Sequence, residues 1–103
     1  MMNRQQVTLK VNVGGIVPGE PPALAWWKRA RRPDGKEKII SQSVKVLDEH
    51  LFQQLTATVN AGDAIEISVV NEWPEGKPAI SYLAGFAKDG QRYGNFGAAR
   101  EAA

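Results

Sequence analysis

Apolar and polar residues alternate along several short stretches of this chain. The clearest stretch is residues 6–13, where the apolar positions lie two residues apart, namely Val7, Leu9, Val11 and Val13. This period of two predicts a half-buried strand, because successive side chains of a strand point to opposite faces. Similar alternation predicts further strands over residues 23–29, 37–46, 64–71, 80–84 and 91–96.

Residues that favour turns separate these stretches. The segment Pro18–Pro22 contains three prolines, which fix the backbone and lack N–H donors, so it predicts a rigid loop. Pro33–Gly35 and Asn60–Asp63 are typical of tight turns. A second proline-containing break covers residues 73–78, and Asp89–Gly90 predicts a hairpin.

One segment allows two interpretations. Leu47, Leu51, Leu55 and Val59 are spaced at four residues, which favours a helix, whereas Leu55, Ala57 and Val59 are spaced at two, which favours a strand. We expect a short helical turn over residues 48–54, followed by a strand that ends at Val59. That strand would then form a hairpin with residues 64–71.

Six or seven short strands and at most one short helical turn favour an all-β protein. We expect an antiparallel sandwich or a small barrel rather than an α/β fold. No repeat or domain boundary is evident, so residues 1–103 are expected to form one domain, with peripheral tails at about 1–5 and 97–103.

The stretch Val59–Asn71 resembles the hairpin of fibronectin type III and related immunoglobulin-like domains, in which an apolar residue, a small turn with Gly and an alternating strand follow one another. Trp27 with the following Pro33, Gly35 and Ile39 is similar to the second strand and loop of the same family. The resemblance implies an antiparallel immunoglobulin-like sandwich that acts as a binding or spacer module. Such a module has no active site to carry over.

Composition removes several classes of site. The 103 residues include no cysteine, which excludes disulfides, cysteine-rich zinc sites, iron–sulfur clusters and thiol nucleophiles. No apolar run approaches the roughly 20 residues that span a bilayer, and the start Met-Met-Asn-Arg-Gln-Gln is polar where a signal peptide would be apolar. We therefore expect a soluble protein, cytoplasmic or in a virion, with no membrane partner.

The positive charge is concentrated in one segment. Residues 28–38 contain six cations, Lys28, Arg29, Arg31, Arg32, Lys36 and Lys38, against Asp34 and Glu37. The rest of the chain carries seven cations and nine anions. Such a local basic loop can steer an anionic partner, and its alternative is a solvated hairpin whose charges keep a strand edge from pairing.

Two tryptophans precede this basic segment. Trp26 and Trp27 are neighbours on a predicted strand, so they cannot both face one core. An outward ring beside cations is what single-stranded nucleic acid requires, since rings stack on bases and cations neutralise phosphates. The alternative is that one ring anchors the core and the other is covered by a loop or a partner.

No pattern predicts catalysis or a cofactor. His50 is the single histidine, and its neighbours Asp48 and Glu49 do not share a side with it in a regular element. The serines lack a nucleophile-elbow context, and the glycines of residues 14–19 lack the Lys-Ser/Thr of a phosphate-binding loop. We expect no enzyme, metal site or cofactor.

Two functions follow as expectations. The first is a non-enzymatic interaction or structural module, an accessory or decoration subunit of a larger assembly such as a virion. It would contact a protein partner or further copies of itself through Pro18, Pro21, Pro22, Trp26 and Trp73. The alternative is a single-stranded nucleic-acid-binding β-domain that uses Trp26 or Trp27 with the six cations of residues 28–38.

Overall fold

The strands of this protein form one sheet that closes on itself. The structure, a computed structural model, describes residues 3–96. Its strands and helix, in chain order, are β1 (Asn3–Val17), β2 (Ala23–Arg31), β3 (Glu37–Lys45), α1 (Glu49–Thr58), β4 (Ala64–Trp73), β5 (Ile80–Lys88) and β6 (Gln91–Gly94). The prediction of an all-β protein with one short helix is confirmed.

The strand order in the sheet is β3-β2-β1-β4-β5-β6. Neighbouring strands in this order are antiparallel. In addition, Lys45 on β3 pairs with Tyr82 on β5 in parallel orientation, so strands β1 to β5 close into a ring. The result is a small barrel, one of the two arrangements that the sequence allowed. All six strands belong to one sheet, and β1 connects the two halves of the barrel.

Strand β1 pairs with a different neighbour along each half. Its residues 3–12 pair with β4, and its residues 12–17 pair with β2. The register shifts between Val13 and Gly15, where a bulge bends the strand. Gly14 suits this position because a Cβ there would lie 3.3 Å from the backbone oxygen of Ala25. The bend lets a single strand belong to both halves of the barrel.

The start of β1 lies further towards the N-terminus than the sequence indicated. Asn3 pairs with Trp73, so residues 3–5, which were expected to be peripheral, belong to the sheet. The other expected tail, residues 97–103, lies outside the described residues.

The prediction of a strand ending at Val59 is wrong, because α1 continues to Thr58. The Asp48 carboxylate accepts a hydrogen bond from the Leu51 N–H at 3.1 Å and caps the helix. Leu51 and Leu55, four residues apart, are both buried against the barrel. The expected hairpin with residues 64–71 is therefore also wrong, and β4 pairs with β1 and β5 instead.

The core lies inside the barrel and beneath α1. It is a single cluster to which every long strand contributes, and its members include Val11, Val13, Leu24, Trp26, Val44, Leu51, Leu55, Ile65, Ile67, Leu83 and Phe86. The alternation read from the sequence accounts for most of these positions. The helix supplies the residues that close one end of the interior.

Leu55→Ala tests the role of the helix. Leu55 is completely buried, so the variant is expected to lose about 2–5 kcal/mol of unfolding free energy, because apolar burial is lost and a cavity remains. Alanine has a high helix propensity, so the substitution does not weaken the helix itself. The loss of unfolding free energy would therefore reflect the packing of Leu55 in the core. Urea denaturation measures it, with Gln53→Ala, on the exposed side of α1, as the control. Equal stability of the two variants would contradict this account.

Candidate nucleic-acid interface

The two tryptophans of β2 point to opposite sides of the sheet. Trp26 is 7% exposed and belongs to the core, whereas Trp27 is half-buried on the outer face. Alternation along the strand requires this division once Leu24 and Trp26 face inward. The sequence predicted that one of the two rings faces outward, and in the structure this ring is Trp27.

Strands on both sides place small side chains beside Trp27. In the sheet register Trp27 lies between Asn12 of β1 and Ser41 of β3. The Asn12 side-chain amide donates a hydrogen bond to the Trp27 backbone oxygen at 3.4 Å. The next outward pair along the hairpin is Ala25 with Ser43. All four neighbours are smaller than an indole, so the ring is the largest side chain on this part of the face.

Beyond Trp27 the β2–β3 hairpin continues without a third strand. Among the described pairings, β1 is last opposite β2 at Trp27, and residues 28–31 pair with residues 37–40. The connecting turn is closed by a hydrogen bond from the Arg32 N–H to the Lys36 oxygen at 2.7 Å. Gly35 adopts a positive φ of 86°, which favours glycine at this position. We call residues 28–40 the hairpin arm.

The hairpin arm carries all six cations of the basic segment. Five are exposed and Lys28 is half-buried. Arg29 and Arg31 follow Trp27 at steps of two, so they lie on the same outer face. Within residues 3–96, none of the six side chains forms an ion pair or a hydrogen bond with another residue.

Two cations outside the arm, Arg4 and Lys88, are paired with carboxylates. Arg4 lies 3.6 Å from the Glu72 carboxylate, and Lys88 lies 2.9 Å from the Asp63 carboxylate. In the arm, Glu37 is opposite Arg31 in the register but is not within ion-pair distance. The arm is thus a local source of positive potential next to an outward aromatic ring.

The residues expected to contact a protein partner do not form one surface. Pro18, Pro21 and Pro22 line a shallow groove beside α1, together with Val46, Leu47 and Phe52. Trp73, 44% exposed at the end of β4, does not line this groove. Trp26 is buried and offers little surface to a partner.

The groups considered for catalysis lie apart. His50 is exposed on α1, and its neighbour Asp48 serves as the helix cap. No three His, Asp or Glu side chains among residues 3–96 are grouped so that they could hold a metal ion. In the same part of the chain, no helix is long and apolar enough to cross a bilayer.

Asp63 and Lys88 connect the turn before β4 to β5. The Asp63 carboxylate accepts hydrogen bonds from Lys88 Nζ at 2.9 Å and from the Asn60 N–H at 2.8 Å. Lys88 Nζ also donates to the Thr58 oxygen at 2.8 Å. The hydrogen bond between the two side chains lowers the pKa of Asp63 and raises the pKa of Lys88. These contacts fasten the end of α1 to the barrel.

Sequence reasoning required one outward tryptophan without deciding between Trp26 and Trp27, and it located the cations, but it did not predict the residues that surround the ring. Asn12, Ala25, Ser41 and Ser43 carry no motif, and their place beside Trp27 depends on strand register. Comparison of the chain with protein-family models, with curated proteins and with solved structures gives no match. The geometry of the site is therefore the basis on which a function can be proposed.

The Asp63–Lys88 contact gives stability a predictable pH dependence. Because the pKa of Asp63 is lowered by folding, its contribution is present above the unfolded value of about 4 and disappears as pH falls through the folded value. The raised pKa of Lys88 makes its contribution disappear at alkaline pH, above about 10. Asp63→Asn should therefore be less stable than the wild type at pH 7.

Thermal melts of the two proteins from pH 7 to pH 2 measure this effect. The difference in stability should shrink as the solution becomes more acidic, because the wild-type carboxylate is protonated there. A difference that stays constant over this range would contradict the assignment.

Proposed function

We propose that the outer face of β2 and β3 around Trp27, together with the hairpin arm, binds single-stranded nucleic acid. The observation that carries the proposal is the shared face of Trp27, Arg29 and Arg31, with an outward ring followed at two-residue steps by unpaired cations. We call this surface the Trp27 face; it comprises the outward residues of β2 and β3.

The chemistry of the Trp27 face matches the two needs of a single strand. An unpaired base exposes its ring faces and can stack on an indole, which contributes about 1–3 kcal/mol per base. Two-residue steps on a strand are about 7 Å, so Arg29 lies within reach of a phosphate next to a base stacked on Trp27. The arm's remaining cations extend the positive surface towards the turn.

The same chemistry favours single strands over duplexes. Bases in a duplex are stacked on one another, so their faces are not free for Trp27. Phosphate contacts carry no sequence information, and stacking tolerates every base. We expect binding that depends strongly on salt and weakly on sequence.

The strand order adds support by analogy. The first five strands, closed by the β3–β5 pairing, resemble the five-stranded, partly open Greek-key barrel of the oligonucleotide/oligosaccharide-binding fold. In that fold, strands 2 and 3 and the loops β1–β2 and β4–β5 bind the ligand. Trp27 occupies this position on β2. The analogy concerns architecture and does not by itself establish function.

Kinship with fibronectin type III sandwiches stays a hypothesis, to which the strand order lends no support. The role of an accessory or decoration subunit also stays a prediction. One observation favours a protein contact, namely the proline-lined groove beside α1, where Leu47 is 54% exposed. This groove does not include Trp27 or the arm, so both functions are compatible with one chain.

Trp27→Ala tests the stacking contribution. The variant should lose about 1–3 kcal/mol of binding free energy, because the base no longer stacks on an indole. This loss corresponds to an affinity that is roughly 5- to 150-fold weaker. Fluorescence anisotropy with a labelled single-stranded oligonucleotide measures it at fixed salt. Trp27→Phe, which retains a ring, is the matched control and should keep most of the affinity. Unchanged affinity of a folded Trp27→Ala variant would exclude the proposed site.

Replacement of both Arg29 and Arg31 by Gln tests the phosphate contacts. For a single strand, each phosphate contact contributes about 0.7 to the magnitude of the slope of log K against log salt concentration. The slope of the double variant should therefore be smaller in magnitude by about 1.4. Titrations at several salt concentrations measure the slope. Arg4→Gln removes an ion-paired cation outside the arm and should leave the slope unchanged. Equal slopes for the double variant and the wild type would contradict the proposal.

A further inference from the structure

Ile39 is the most exposed of the large apolar side chains among the described residues, at 65%. It lies opposite Arg29 in the β2–β3 register, two residues before Ser41, which is opposite Trp27. Residues two apart on a strand share a face, so Ile39 belongs to the Trp27 face. The next residue, Ile40, points the other way and packs against the core. The barrel therefore accounts for Ile40 and leaves Ile39 uncovered.

Ile39 has an aromatic ring and unpaired cations as its neighbours. Trp27 and Ile39 are diagonal neighbours across the two strands, and such positions lie about 7–8 Å apart. Arg29 is directly opposite Ile39, and Lys38 precedes it in the chain. Neither cation is paired with a carboxylate among the described residues. An exposed apolar side chain is thus surrounded by the two kinds of group on which the proposed function rests.

These surroundings match the chemistry of a nucleotide. The faces of a nucleobase pack against aliphatic as well as aromatic side chains. A base that covers Ile39 removes apolar surface from water, which is favourable in proportion to the area covered. The cations beside Ile39 favour a partner that is also anionic. A nucleotide carries both a ring face and a phosphate, so it meets both conditions.

We propose that Ile39 is a second base-packing position next to Trp27, and that the bound single strand runs along the β2–β3 hairpin towards its turn. This inference rests on the proposed function. Consecutive bases contact Trp27 and Ile39, and their phosphates lie within reach of Arg29 and Arg31, which share this face. The Trp27 face then holds at least two nucleotides.

A path across the sheet is less favourable for a chain of phosphates. In that direction the row of Trp27 continues to Asn12 of β1 and Ala64 of β4, which line a groove of about 600 Å³. The charged residues that line this groove are two cations and two carboxylates, namely Lys10, Arg92, Glu66 and Asp89. The groove has no net charge, whereas the outer face of the hairpin arm carries two arginines against one glutamate. Phosphates are therefore attracted along the hairpin.

Ile39→Ala tests the second base-packing position. Ile39 lies outside the core, so the variant should remain folded. Its affinity for a labelled oligothymidylate of about six nucleotides should fall about 5- to 30-fold, because a base loses its apolar contact. Fluorescence anisotropy measures the affinity. Leu47→Ala, which shortens an exposed side chain in the groove beside α1, is the matched control and should bind like the wild type.

The same titrations separate this inference from the proposed function. If Trp27→Ala weakens binding and Ile39→Ala does not, the site at Trp27 stands and the second position is rejected. If both variants keep the wild-type affinity, nucleic-acid binding at this face is rejected as well. If Lys10→Gln weakens binding more than Ile39→Ala does, the strand crosses the sheet, and the path along the hairpin is wrong.

Methyl NMR of the full chain provides a readout that a purely structural role would not change. The Cδ1 methyl signal of Ile39 should shift on saturation with the oligothymidylate, because a base placed over the methyl group exerts a ring current. The same methyl should show nuclear Overhauser contacts to protons of the oligonucleotide. Ile65 and Ile67, both buried in the core, are internal references and should not shift. An unchanged Ile39 signal beside a shifted Trp27 indole signal would overturn the proposal.

Discussion

The structure depends on the continuity of β1 through its bulge. A single strand pairs with β4 before the bulge and with β2 after it, and the bend allows one sheet to curve until β3 meets β5. Gly14 makes the bend sterically possible because the backbone of Ala25 leaves little room for a side chain. The barrel, its core and the position of the β2–β3 hairpin all follow from this bend.

Barrel closure also decides which surfaces remain open. Because β1 accompanies β2 only as far as Trp27, the following residues extend as a two-stranded arm that holds the unpaired cations. Because β3 meets β5 only at Lys45 among the described pairings, the remainder of β3 is an edge. The Trp27 face and the open edge of β3 therefore arise from the same feature, a hairpin that is longer than the barrel requires.

The sequence was informative where the physics is local. Alternation predicted the strands and required one of the two tryptophans to face outward, and charge counting located the arm. The prediction was wrong at residues 55–59, where apolar residues are spaced both at two and at four positions. The Asp48 cap and the burial of Leu51 and Leu55 favour the helix there. Pairing partners distant in the chain could not be read from alternation, so neither the closed sheet nor the neighbours of Trp27 were predictable.

NMR of the isotopically labelled chain tests whether the outward Trp27 binds nucleic-acid bases, as we propose. Trp26 and Trp27 are neighbours in sequence but lie on opposite faces of the sheet. Binding at the outer face should therefore shift the Trp27 indole N–H signal more than the Trp26 signal, whereas a change of the whole fold would shift both. On titration with a single-stranded oligonucleotide, the Trp27 indole and the amides of residues 25–31 and 37–43 should shift most. Larger shifts on α1 or in the 18–22 loop, or none at low salt, would contradict the account.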